Sequence, residues 1–202
     1  MSELFASVSL KGRLARLEPL SAAHLQGLQL AAEDGQQWRL WYTAVPQPDA
    51  MATEIARRLA LHASGQMLPF TVFSASGQVV GMTSFMNIDS LHRRVEIGST
   101  WYGAGAQRTG LNTECKLLLL RHAFDTLACI AVEFRTHRLN SASRRAIERL
   151  GAQLDGMLRS HQRAADGTLR DTAVYSITAA EWPTIQTHLQ WLLQKPRKQH
   201  DA

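Results

Sequence analysis

Cysteine is scarce in this chain of 202 residues. Its two cysteines, Cys115 and Cys129, lie in apolar surroundings and form neither a CxxC pair nor a metal-ligand spacing. That excludes a disulfide-stapled scaffold, gives no metal site, and fits a reducing compartment with both thiols free. Long hydrophobic runs are also missing: nothing approaches the roughly 18 consecutive apolar residues of a membrane span. The opening MSELFASVSLKGRLARL has no apolar stretch between a basic leader and a small-residue cleavage site, so neither a membrane contact nor export is expected, and the cytoplasm is the expected location. Low-complexity linkers, internal repeats and composition breaks are absent as well, which predicts one domain over residues 1–195 and a polar tail over 196–202. Charge of one sign is modest. Lys and Arg number 22 against 17 Asp and Glu, for a net charge of +5, but the positive charge is mostly arginine scattered along the chain. The aromatics are not interleaved with it on any one segment, so nucleic acid is not an expected partner.

What is present is an ordered alternation of periodicities. Residues 10–17 alternate loosely and run into Glu18-Pro19-Leu20, which predicts a first strand stopped by proline. Ser21 stands as a cap before Leu25, Leu28 and Ala32, and Asp49 before Met51, Ile55, Leu59 and Ala63, which predicts two helices. Between them, Trp38, Trp41 and Tyr42 crowd a bend marked by Pro46 and Pro48; large aromatics there pack a core or a lid, or wall a substrate pocket. Segments 68–74, 79–88 and 94–102 are rich in β-branched and aromatic residues with polar breaks, an antiparallel meander. Helical patterns return at 112–126 and 142–150 around a strand at 130–136; a strand closes at 175–177 and a last helix covers 181–193. The order predicts a mixed α/β sheet with helices on its faces.

The segment 95–124 is the most informative. A strong strand passes through a loop bearing Gly103, Gly105 and Gly110 into a strong helix that Asn112 or Thr113 begins. The glycines allow a tight turn and close approach to a ligand, the free N–H groups of the helix start suit a phosphate, and Arg108 adds charge. A plain surface turn is the competing reading. No GxxxxGK[ST] and no dinucleotide-binding glycine spacing occur, so nucleotide hydrolysis and dinucleotide redox chemistry lose support. A second cluster, HRLNSASRRAIERLGA, leaves a strand at Asn140 and enters a helix capped by Ser141 or Ser143. Asn140 and Ser143 could hydrogen-bond an amide-rich ligand or serve as caps, while Arg144, Arg145 and Arg149 read as a solvated face.

Together these two segments resemble the cofactor core of the GNAT acyltransferases, in the branch that includes the ribosomal-protein alanine N-acetyltransferases. Gln107-Arg108-Thr109-Gly110-Leu111-Asn112 stands where that family has its [QR]xxGx[GA] loop, with Asn112 departing from the pattern, and Asn140, Ser143 and Gly151 match a second signature. Asp155-Gly156-Met157-Leu158-Arg159, the later Asp166–Asp171 stretch and Arg16-Leu17-Glu18-Pro19-Leu20 also look like that branch. The resemblance covers about residues 10–190. It implies an acyl-CoA N-acyltransferase fold: a central, mostly antiparallel sheet with a splayed parallel strand pair, here 94–102 and 130–136, flanked by helices.

The resemblance further implies acetyl-CoA as cosubstrate and a primary amine as acceptor, a protein N-terminus first and a small amine second, with a homodimer left open. Gln107, Arg108, Thr109, Gly110, Leu111, Asn112 and Thr113 would hold the diphosphate, Asn140 and Ser143 the pantetheine. A backbone N–H near Gly98, Ser99 and Thr100 would steady the thioester oxygen while the amine attacks directly. Many relatives carry a tyrosine where this chain has Ile147, so the acid is sought elsewhere, with Ser141 the positional match. Glu96, alternating with Ile97, is the favoured base, and His137 the substitute. Trp38, Trp41, Tyr42 and Tyr175 are the candidate acceptor contacts, and Cys115 is read as core. The alternative from a different class is a CoA-binding protein with little catalysis, suggested by Asn112 and Ile147.

Overall fold

The computed structural model describes residues 6–164 and 166–195; the tail expected over 196–202 lies outside them. The strands are β1 (Leu10–Lys11), β2 (Ala15–Pro19), β3 (Met67–Ser74), β4 (Val79–Asp89), β5 (Arg94–Tyr102), β6 (Ala131–His137), β7 (Gln153–Arg163) and β8 (Leu169–Thr178). The helices are α1 (Leu25–Glu33), α2 (Met51–Ala63), α3 (Leu111–Arg121), α4 (Ser141–Glu148) and α5 (Trp182–Gln194). All eight strands form one sheet in the order β1-β2-β3-β4-β5-β6-β8-β7. Every neighbouring pair is antiparallel except β5 and β6. The expected mixed α/β, mostly antiparallel architecture with flanking helices is the one observed.

Strand alternation divides the core between the two faces. Val95, Ile97 and Tyr102 of β5 join Phe70, Phe85, Leu119 and Leu189 in the larger cluster, under α3 and α5. Trp101 joins Met82, Leu28, Met51 and Ile55 in a smaller one, under α1 and α2. The face-switch between neighbouring Trp101 and Tyr102 is why a single strand can serve both.

Three local expectations are corrected. The opening strand is a hairpin, because the buried carboxylate of Glu114 on α3 accepts the turn's N–H groups: Arg13 at 3.1 Å, Leu14 at 2.5 Å and Ala15 at 2.7 Å. Asp49 does not cap α2; it sits within a 3₁₀ turn, Pro48–Ala50, and its side chain makes no cap bond. Gln153–Arg163 is a strand that periodicity misses, since nearly all of its residues are exposed or half-buried at the sheet's edge. Glu114→Gln keeps the shape but turns one acceptor into an amide facing N–H groups. It is expected to lower unfolding free energy by about 2 kcal/mol, read as a fall in the urea midpoint with unchanged slope.

Candidate active site

β5 and β6 run side by side only from Arg94–Ala131 to Glu96–Glu133. Beyond that, β5 continues to Tyr102 and β6 to His137 without pairing to each other. A parallel pair that stops early opens as a V, leaving the facing N–H and C=O groups of both strands without ladder partners. The V opens at the carboxyl ends of the two strands, and the helices that follow them, α3 and α4, start at that same edge.

A bulge lies on the β5 arm. Ser84 of β4 pairs with Gly98 but Met82 pairs with Trp101, so β5 carries one residue more than β4 across this stretch, and Ser99 takes a left-handed φ of 49°. Such a bulge frees backbone groups from the ladder and re-aims them.

Glu96 stands at the vertex. It is 5% exposed, its Oε2 accepts from Asn87 Nδ2 at 2.7 Å, and Arg135 Nε is 3.6 Å away. Its Oε1 leans along the strand: a Cβ at residue 98 would come within 2.6 Å of it, so a larger residue there would displace the carboxylate. Burial pushes the Glu96 pKa above the usual carboxylate value, and the Asn87 hydrogen bond and the Arg135 and Arg170 charges oppose this only in part. A carboxyl whose pKa burial raises is a better proton acceptor, once ionised, than an ordinary exposed carboxylate.

His137, at the end of β6, accepts the Leu139 N–H on Nδ1 at 3.0 Å. In the neutral ring the proton therefore sits on Nε2. Burial first, then the charges of Arg170 and Arg138, hold its pKa below the ordinary histidine value. The ring meets Trp41 edge-on at 5.2 Å and Tyr42 at 6.2 Å, so the α1–α2 connection lies across the end of β6. Trp38 packs elsewhere, under the Arg39 guanidinium.

The loop before α3 folds as a tight, hydrogen-bonded turn, but by other residues than expected. Arg108, not a glycine, takes the left-handed conformation, at φ 55°. Thr109 Oγ1 accepts the Leu111 N–H at 3.2 Å, Gln107 Nε2 donates to the Tyr102 carbonyl at 3.0 Å, and Gly110 is the N-cap. The helix thus starts at Leu111, ahead of Asn112 and Thr113. Gly103 and Gly105 pack against the end of α1: Gly105 N donates to Asp34 Oδ2 at 2.8 Å, and a Cβ at residue 103 would lie 2.9 Å from the same oxygen. A cleft of about 970 Å³ opens on that side, between the loop, α1 and the β3–β4 turn; none of its walls comes from β6 or α4. It is distinct from the V.

At the head of α3 the Asn112 Oδ1 is buried with no partner among the described residues. A ligand carrying amide or hydroxyl donors would satisfy it, and the first N–H groups of the helix have no intrahelical acceptor. The residues here fit an anionic, amide-bearing group.

On the second signature, Asn140 Oδ1 caps α4 by accepting the Ser143 N–H at 3.0 Å; Ser141 is exposed at the helix start and Ile147 is buried in the core. Two expectations fail here. Arg149 and Arg144 are not simply solvated: Arg149 NH2 donates to Thr113 Oγ1 at 3.0 Å, tying α4 to α3, and Arg144 Nε donates to the Tyr175 hydroxyl at 2.8 Å. Tyr175 in turn donates to Glu148 at 2.7 Å. Its hydroxyl belongs to the α4 side, away from the aromatics at His137. Sequence reasoning missed Asn87, Arg135 and Arg170. Arg135 had a signal, since it alternates with Glu133 and His137 on one strand face; Asn87 and Arg170 had none, because they reach Glu96 only through sheet pairing.

Residues 15–153 match the family model described as an acetyltransferase (GNAT) domain. A crystal structure of a GCN5-related N-acetyltransferase from Brucella melitensis is 31% identical with a TM-score of 0.82, over 98% of this chain and 90% of that one. Mycobacterium smegmatis RimJ, solved in complex with CoA-disulfide, shares the fold at 20% identity with a TM-score of 0.76, over 92% and 93% of the two chains. YdaF of Bacillus subtilis (strain 168), named as a candidate ribosomal N-acetyltransferase, is 30% identical over 106 residues. That match takes in 52% of this chain and 57% of YdaF, so the chain spans little more than half the length of this curated relative.

Proposed function

Because the chain belongs to the GNAT family of acetyltransferases, we propose that it is a single-domain enzyme, over residues 1–195, that moves the acetyl group of acetyl-CoA to a primary amine by direct attack. The observation that carries this reading is the buried Glu96 carboxylate at the vertex of the V, beside a bulge in β5 and opposite a helix start.

Acetyl-CoA would supply the activated acyl group. Residues 107–113 would hold its diphosphate at the head of α3, where the N–H groups of the first turn point out of the helix end and Arg108 is exposed beside them. Its amide chain would lie in the V, where Asn112 offers an acceptor and the arms of β5 and β6 offer ladder groups, with Asn140 and Ser143 at the head of α4. The N–H groups at the bulge, Gly98 to Thr100, would donate to the thioester oxygen. Glu96, directly or through a water, takes the proton of the incoming ammonium; His137 is the weaker candidate, because its Nδ1 is occupied. Ser141, exposed at the start of α4, is the group assigned to return a proton to the departing thiolate.

A protein N-terminus is the first acceptor proposed. Trp41, 57% exposed, and Tyr42 form an aromatic wall at the end of β6 that suits an extended peptide end, and the name of YdaF points the same way. A panel of small amines and of peptides with free N-termini, followed by thiol release, tests this: turnover fastest with peptides supports it, and turnover confined to small amines overturns it. The second reading, a CoA-binding protein with little catalysis, is favoured by Asn112 in the loop and by the buried Ile147 where many relatives have a tyrosine. Binding without turnover on any amine would establish it.

A further inference from the structure

The bulge on β5 is gripped from both faces of the sheet by cations that sequence reasoning passed over. From α2, Arg58 is 2% exposed; it donates to the Ser99 carbonyl and to Ser84 Oγ, both at 3.2 Å, and is neutralised by Glu54 at 2.6 Å. From α3, Lys116 is 6% exposed and donates to Thr100 Oγ1 at 2.9 Å. Thr100 Oγ1 lies 2.7 Å from Thr83 Oγ1 on β4. No ion pair among the described residues includes Lys116.

An ammonium enclosed with a hydroxyl and no counterion is an expensive thing to bury. The left-handed backbone of Ser99 adds about 1 kcal/mol or more. The two costs meet on neighbouring positions of β5, since the residue that Lys116 bonds, Thr100, follows Ser99. Burial pulls the Lys116 pKa down to about 8, which leaves it mainly charged at neutral pH. The neighbouring Cys115 thiol, pushed up to about 12, is neutral and offers no compensation.

Resting on the acetyl-CoA reading above, we propose that Lys116 is a positioning residue for acyl transfer: through Thr100, and with Arg58 on the opposite face, it locks the bulge so that its N–H groups stay aimed at the acyl oxygen, and it keeps a fixed positive charge beneath the spot where negative charge develops. The two cations divide the work. Arg58, paired with Glu54, fixes the carbonyl side of Ser99; Lys116, unpaired, adds net charge to the other side. Fixed, water-excluded charge of this kind needs no reorganisation during the reaction.

The test reads the carbonyl itself, so it needs no knowledge of the acceptor. Infrared spectra of bound [1-¹³C]acetyl-CoA are compared for the wild type, Lys116→Met, Thr100→Val and Thr100→Ser, together with the Kd of unacylated CoA and the melting temperature. In the wild type the thioester stretch is expected below its solution frequency. Lys116→Met and Thr100→Val should lose most of that lowering while CoA binds within about threefold, and turnover on any accepted amine should fall about 10- to 100-fold. Thr100→Ser, which keeps the hydroxyl that Lys116 bonds, should recover the lowered stretch that Thr100→Val loses. Lys116→Met should also melt no lower than the wild type, because it replaces an unpaired buried cation with an apolar group of similar volume. A merely structural lysine would give a lower melting temperature and an unchanged stretch, and that pattern overturns the proposal. Should Lys116→Met not fold, an unchanged stretch in Thr100→Val overturns it alone. If the wild type binds CoA but shows no lowering of the stretch, the bracket fails and the cofactor reading stands; if it binds neither ligand, both fall.

Discussion

Replacing Gly110 with aspartate is expected to weaken acetyl-CoA binding by about 100- to 1000-fold and leave the fold standing. Gly110 is the N-cap of α3, with φ −71° and ψ −12°, an ordinary conformation that any residue adopts. A carboxylate at a helix start also interacts favourably with the helix dipole, which offsets its desolvation at this buried position. The cost falls on the ligand. A carboxylate about 4 Å from a diphosphate oxygen costs about 4 kcal/mol at the effective dielectric of a protein surface, and each 1.4 kcal/mol is about tenfold in Kd. Gly110→Ala separates space from charge and should lose no more than about tenfold. Isothermal titration of both variants, with circular dichroism to confirm folding, makes the comparison. Equal affinity in Gly110→Asp and the wild type would move the diphosphate away from α3.

Glu96→Gln is expected to lower turnover by about 100-fold or more with acetyl-CoA affinity nearly unchanged. The isosteric amide still fits beside Gly98 and keeps one oxygen for Asn87, but it cannot accept a proton. The pH profile carries the sharper signature. The base acts when ionised, and burial raises the Glu96 pKa; the acidic limb of kcat/KM for the wild type should therefore sit above the ordinary carboxylate range and vanish in Glu96→Gln. A limb that persists unchanged would hand the proton to His137 or to solvent.

The strands β3, β4 and β5 were legible because they are rich in β-branched and aromatic residues between polar breaks, and the helix α3 because a run of leucines follows a glycine-bearing loop. β7 was not, because an edge strand exposed along nearly its whole length buries no stripe from which a period can be read. The candidate site divides along the same line. Glu96 stands out as a carboxylate inside a strongly apolar strand, and the 107–113 loop by its position between a strand and a helix. Arg58 and Lys116 were invisible for the opposite reason. An arginine or lysine within a helix reads as a solvated position, and only the packing of α2 and α3 on the two faces of the bulge turns them inward. The glycines misled in a similar way: Gly103 and Gly105 are small so that α1 and Asp34 can approach, and the Gly105–Asp34 contact spans 71 residues of sequence that no local pattern records.

The central claim is that the V between β5 and β6, with the head of α3, holds an acyl-CoA. Calorimetric titration of the folded chain with acetyl-CoA, with adenosine and free pantetheine as controls, tests it most directly. Micromolar binding of acetyl-CoA, far tighter than either fragment, is the predicted result; no heat of binding from a protein shown to be folded would contradict the claim.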